Sequence, residues 1–212
     1  MSVLTRPHHP LVATAFGLAR QWCAGREIDG HPTLSHAVRV AVKLDQHLPA
    51  VPPQLIAAVL VHNSPEFAPA TVDVDAALTV WLGPEITRVV AAMHREHAAM
   101  DAGVPAVPPL RDLWTLYASA ADKIVSVGSI LARAAAADDP KDFWCGRQAF
   151  VALVPYFREF HTATSARLPA GLRDELGLAV ALAESATAAP ASTAAAGDAG
   201  GSSCPGRWGR AS

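Results

Sequence analysis

The sequence predicts an all-α protein, a globular bundle of roughly eight helices. Three observations carry that expectation. Apolar residues recur at three- and four-residue spacing through the first 184 positions. Proline and glycine interrupt that pattern at helix-length intervals, where they start or stop helices. No stretch alternates apolar and polar β-branched residues between hairpin turns, as a sheet would require.

Taken in order, Pro10 opens LVATAFGLARQWCAG, where Leu11, Ala15, Leu18 and Trp22 share a face and Gly25 stands at the C-terminal cap. A Gly30-His31-Pro32 turn leads into TLSHAVRVAVKLDQHL, with Leu34, Val38, Ala41 and Leu44 as its stripe. Pro52 and Pro53 open QLIAAVLVHN, which is apolar nearly all round and so is expected to be the central buried helix. Pro65 and Pro69 close it. Asp73 caps VDAALTVWLG, and Pro84 starts EITRVVAAMHREHAAM, striped by Ile86, Val89, Val90 and Met93. After a Pro/Gly loop over 103–109 comes a long helix, LRDLWTLYASAADKIVSVGSILARAAA. Asp139-Pro140 then starts a helical stretch through 141–166, and a last amphipathic helix runs from about Pro169 to Ala183.

From position 185 to 212 the chain is small, polar and rich in Ala, Gly, Ser and Pro, with Trp208 as its one large apolar residue. Such a segment buries too little to offset its ordering entropy, so it is expected to be a disordered tail behind one domain over 1–184. Across the chain 51% of residues are hydrophobic and 17% charged; 17 basic and 19 acidic side chains leave a net charge of −2. That balance gives no electrostatic reason to expect nucleic acid or an anionic membrane as partner. Cys23, Cys145 and Cys204 are odd in number and lack metal-ligand or disulfide spacing, and the first residues lack the apolar core of a signal peptide. A cytoplasmic protein, with Cys23 and Cys145 used for packing, is the expectation.

Polar groups that break apolar helices stand out against this background. His62 and Asn63 end the most apolar helix, Asp122 lies deep in a small-residue stretch, and His36 sits near the start of its helix. A buried carboxylate must be paired, protonated or metal-bound. Singly, each has a plain explanation: a buried histidine is commonly a hydrogen-bonded core residue, and Asp122 could pair with Lys123 or Arg39. His94, Glu96 and His97 form an HREH run that reads as a solvated helix end rather than the HExxH of a metalloprotease.

The order H…HN…D on separate helices resembles the HD superfamily of metal-dependent phosphohydrolases, and most of all the hydrolases of guanosine polyphosphate alarmones. Four stretches carry the resemblance. The family's RKxGxPYxxHP is similar to residues 27–36, ending at His36; its AALLHDxxED is similar to residues 57–67, with His62, Asn63 and Glu66. Its FGxEVxxLVxxVT is similar to residues 82–90, and its KLADRLHN to residues 119–126, with Asp122 and Ser126. A later Trp-bearing segment and Tyr-bearing helix are similar to Phe143-Trp144 and Tyr156-Phe157.

The resemblance implies an HD-domain-like helical bundle that hydrolyses a nucleotide or other phosphorylated small molecule with Mn²⁺ or another divalent cation. It implies His36, His62, Asn63 and Asp122 as metal ligands, Glu66 and Asn63 as catalytic residues, and Arg26, Lys123 and Ser126 as residues facing the substrate. The sequence departs from the pattern where Asn63 replaces the Asp of the HD pair, Phe67 the following acid, and Glu27-Ile28 the basic pair. Those departures favour the alternative of a catalytically inactive HD-fold module that binds a nucleotide or a protein partner.

Overall fold

Caps and prolines place the helix starts. The structure, a computed structural model, describes residues 9–28 and 30–192. Asp73 accepts from the Ala76 amide at 3.0 Å, Asp112 from Thr115 at 3.3 Å, and Asp139 from Lys141 at 2.7 Å. Each satisfies a donor that the first helical turn leaves orphaned, a contribution of about 1 kcal/mol. The resulting elements are α1 (Pro10–Trp22), β1 (Glu27–Ile28), β2 (His31–Pro32), α2 (Thr33–His47), α3 (Pro53–Val61), α4 (Ser64–Phe67), α5 (Val74–Leu82), α6 (Pro84–Asp101), α7 (Leu113–Ala135), α8 (Pro140–Cys145), α9 (Gln148–Thr164) and α10 (Ala170–Ser192). The fold is all-α, with one two-residue hairpin in which Glu27 pairs Pro32 and Ile28 pairs His31. Gly30 turns that hairpin at φ +72°, a conformation glycine adopts without a Cβ penalty.

Helix α3 is the centre. Every residue from Leu55 to Val61 is buried, and α1, α2, α6 and α7 all pack on it. Its large apolar side chains each contribute roughly 1.5–3 kcal/mol by leaving water, which explains a helix of only nine residues. Helix α7 runs alongside α2 and α10, with Ala118, Ser119, Ala120 and Ala121 all buried. Among the described residues no helix is long and apolar enough to cross a membrane.

Four expectations are revised. The inward face of α2 is Thr33, His36, Ala37, Val40, Ala41 and Leu44, rotated from the Leu34–Val38 stripe, so that His36 points into the protein. The stretch over 141–166 breaks at Gly146, the C-cap of α8, before α9 begins. Helix α7 starts at Leu113, where Asp112 caps it, rather than at Leu110. Helix α10 continues past Ala183 to Ser192, because alanine is the strongest helix former. Of the tail predicted over 185–212, residues 193–212, with Trp208 and Cys204, lie outside the described residues.

Helices α2 and α10 are joined at Glu175, which accepts from Lys43 Nζ at 2.7 Å and meets His47 Nε2 at 2.5 Å. Partial burial would raise the Glu175 pKa, but Lys43 and His47 hold it below its ordinary 4.5. The contribution to stability is therefore present above pH 4.5 and is lost as pH falls through the lowered folded value. Glu175→Gln should lower the melting temperature at pH 7 by an amount equivalent to about 0.5–1 kcal/mol. The gap between variant and wild type should narrow as pH falls below 4.5, as thermal melts across that range would show.

Candidate metal centre

Three helices and one helix end deliver four titratable side chains to one point. Asp122, in the middle of α7, is the hub. His36 of α2 places Nε2 2.7 Å from Asp122 Oδ1. His62, at the C-cap of α3, places Nε2 3.4 Å from the same oxygen. His97 of α6 places Nε2 3.3 Å from Oδ2. The His36 and His62 ring centroids are 5.5 Å apart, and those of His62 and His97 5.8 Å. His36, His62 and Asp122 are each at least 95% buried, and their ligand atoms all lie within 4.8 Å of one another. Asp122 pairs with neither Lys123 nor Arg39, the plain partners that the sequence offered.

These residues fit a divalent cation. His62 Nδ1 lies 2.6 Å from the Val59 carbonyl, which only accepts, so Nδ1 carries the hydrogen. In the neutral ring that leaves Nε2 with its lone pair. Nε2 is buried and makes no hydrogen bond, although Asp122 Oδ1 stands beside it. With that ring neutral the two lone pairs face one another away from water, an arrangement that a cation between them would turn into two bonds and a proton on Nε2 into a hydrogen bond. An imidazole held through its far nitrogen by a backbone carbonyl is also the usual support for a metal-binding histidine. Ligand atoms at right angles around a cation bonded at about 2.1 Å stand about 3.0 Å apart. The 2.7 and 3.4 Å separations here bracket that value.

Asn63 and Glu66 border the same cavity. Asn63 is buried, and its Nδ2 makes no hydrogen bond. Glu66, on the short turn of α4, lies 3.5 Å from His97 Nδ1. Burial disfavours the charged form of Asp122, but the imidazoles of His36, His62 and His97 outweigh it and hold the carboxyl well below the usual range. Burial likewise opposes the charged His97, yet hydrogen bonds to Asp122 and Glu66 push its pKa up to about 10. Glu66 is lowered in return: burial works against its ionisation and His97 overcomes that.

The sequence reading missed His97 and misplaced the HREH run. Glu96 is buried, and its carboxylate takes Ser119 Oγ, Lys123 Nζ and Tyr156 Oη, each at 2.5 Å. The signal was there: continuing the Ile86, Val89, Val90, Met93 stripe by three and four residues reaches 96 and 97. Lys123 borders the cavity, but its ammonium turns away to Glu96 and sits 4.4 Å from the Phe160 ring centroid. Its charge is committed inside the protein rather than presented to a substrate. Arg26 is exposed, 5.9 Å from the Phe67 ring centroid, and lines no part of the cavity. Ser126 is half-buried in the cavity wall. Cys23 is buried, and that burial, with Glu66 nearby, pushes its thiol up to about 11, too high for a nucleophile at neutral pH.

The cavity holds about 320 Å³. Its lining combines polar groups, among them His36, Asn63, Glu66, His97 and Asp122, with apolar ones such as Phe150, Leu153 and Phe157. What the fold and site define is a helical protein with a buried His/His/Asp cluster opening on an amphipathic cavity. Neither a protein-family model nor a curated protein matches the chain.

The Glu96–Lys123 pair flanks the site on both helices, one position before His97 and one after Asp122. Removing one partner leaves the other charge buried, a loss of about 3–5 kcal/mol. Lys123→Met should therefore be severely destabilised in chemical denaturation. Adding Glu96→Gln to it should recover most of the loss, since no charge is then left unpaired.

Proposed function

We propose that the protein is a metal-dependent phosphohydrolase of the HD type, acting on a nucleotide or another phosphorylated small molecule. The observation that carries this reading is the unpaired Nε2 of His62 facing Asp122 Oδ1, with His36 Nε2 on the same oxygen. His36, His62 and Asp122 would hold the cation, with the side-chain oxygen of Asn63 as a weaker fourth donor. When bound, Mn²⁺ or a similar cation supplies Lewis acidity toward a phosphoryl oxygen and a water of lowered pKa.

The chain's own residues account for the rest. Glu66, ionised at the cavity edge, can orient a water and accept its proton. His97, protonated between Asp122 and Glu66, is a donor rather than a base, and offers positive charge to a phosphoryl group or a proton to a leaving oxygen. The apolar part of the lining excludes water and accommodates an apolar or aromatic part of the ligand. With Arg26 outside the cavity and Lys123 neutralised by Glu96, the lining offers little cationic charge beyond His97. That favours a substrate with one phosphate over a guanosine polyphosphate.

A second reading, an inactive module of the same fold that binds a nucleotide or a protein partner, is favoured by Asn63. An amide lacks the charge that makes a carboxylate a strong ligand. Asn63→Asp separates the two. In a phosphohydrolase the new carboxylate should tighten Mn²⁺ binding by about tenfold or more, the order of effect expected for a neighbouring metal-site group. The melting temperature should become more Mn²⁺-dependent and any phosphomonoesterase activity should rise. In an inactive module the variant is destabilised and Mn²⁺ does not rescue it. Melting curves of wild type, Asn63→Asp and Asp122→Asn that are all insensitive to Mn²⁺ would contradict the metal site itself.

A further inference from the structure

A second cavity, of about 630 Å³, opens between α2 and α7 with Glu175 of α10 at its edge. It shares no lining residue with the cavity at the His/His/Asp cluster. Arg39, Lys43 and Arg133 contribute three cationic side chains against one carboxylate, Glu175, which is already bonded to Lys43 and His47. In a chain of net charge −2 this is a local concentration of positive charge.

Two polar atoms in this lining are buried and unpaired. Arg39 Nε is out of contact with water and makes no hydrogen bond, and among the described residues no carboxylate pairs with Arg39. Ser129, 9% exposed, leaves its hydroxyl without a partner. Serine and threonine in a helix ordinarily bond back to the carbonyl four residues earlier. Thr162, Thr164 and Thr187 do so here, at 2.9, 2.7 and 2.8 Å. Ser129 does not. A guanidinium nitrogen and a hydroxyl buried unpaired beside one groove cost stability unless something arrives to satisfy them.

Arg133 frames the other side. Its guanidinium carbon passes 3.6 Å from where a Cβ on Gly30 would stand, so it lies against the hairpin turn. Val42, Ile124 and Val125 supply the apolar part of the groove.

From this we infer a second ligand site, for a small organic phosphate whose phosphoryl group meets Arg39, Ser129 and Arg133 and whose apolar body lies along Val42, Ile124 and Val125. A phosphomonoester carries close to two negative charges and three acceptor oxygens at neutral pH. Guanidinium groups match that geometry with paired donors, and the hydroxyl supplies a further one. A carboxylate offers one charge and would leave part of this donor set unmatched. The inference is independent of metal chemistry at Asp122. The same two helices nevertheless carry both sites, since His36 and Arg39 lie on α2, and Asp122 and Ser129 on α7.

The test is a backbone amide NMR titration of the full chain in EDTA, which removes any contribution from a bound divalent cation. Phenyl phosphate is the probe, with inorganic phosphate and phenol as its two halves. Phenyl phosphate should bind saturably, moving amides around Arg39, Lys43, Ser129 and Arg133, at least about tenfold more tightly than phenol. Arg39→Gln should weaken it by about tenfold or more, the scale of a lost charge-assisted contact. Ser129→Ala, a smaller change, should weaken it several-fold, and it serves in place of Arg39→Gln if the amide spectrum of that variant is collapsed. The inference is overturned if phenyl phosphate gives no saturable shifts in the groove. It is equally overturned if phenol binds as tightly, or if affinity is unchanged in the folded variants.

Discussion

A carboxylate buried in the middle of a long helix is the constraint around which this protein is arranged. Asp122 cannot remain ionised away from water without partners, and its partners come from three other places in the chain. His36 arrives on α2, His62 at the end of α3, and His97 on α6. Satisfying one side chain therefore sets how four helices meet. The rotation of α2 that turns His36 inward and the burial of α3 up to its last residue are two consequences of that requirement.

The neighbouring polar groups repeat the pattern one layer deeper. Glu96 and Lys123 adjoin His97 and Asp122 in sequence, and they meet at 2.5 Å with Ser119 and Tyr156 in attendance. Burial and the Glu96 carboxylate raise the Tyr156 hydroxyl's pKa, so it remains a hydrogen-bond donor. Of these four residues Lys123 alone borders the cavity, and its ammonium turns away to Glu96. The effect of the network is to hold α6, α7 and α9 in one register, so that His97 and Asp122 face each other across a fixed distance. The site depends on rigid neighbours in the way that preorganised sites do.

Much of this was legible in the sequence, for identifiable reasons. The helix boundaries marked by Asp73, Pro84, Gly83 and Pro140 are local effects of capping and proline geometry, and they stand where the residues indicate. His36, His62 and Asp122 stood out because each breaks an apolar pattern, but only the order H…HN…D and the resemblance it carries grouped them into one site. His97 was hidden by a run of three polar residues that looks solvated, although the helical period of α6 carries Glu96 and His97 inward. Lys123 was misjudged because its direction depends on Glu96, 27 positions away, and no local signal reveals that partner. The break at Gly146 was obscured by apolar residues on both sides, and the end of α10 by an alanine-rich stretch whose composition suits both helix and coil.

These observations support the proposal of a donor set for a cation, in which Asn63 stands where the family that the sequence resembles has a carboxylate. The most direct measurement is anomalous X-ray diffraction from crystals grown with Mn²⁺ and no chelator. The account predicts one strong peak within bonding distance of His36 Nε2, His62 Nε2 and Asp122 Oδ1. A map without density there, while His62 Nε2 donates a hydrogen bond to Asp122, would show that a proton rather than a metal reconciles the two groups. That result would contradict the account.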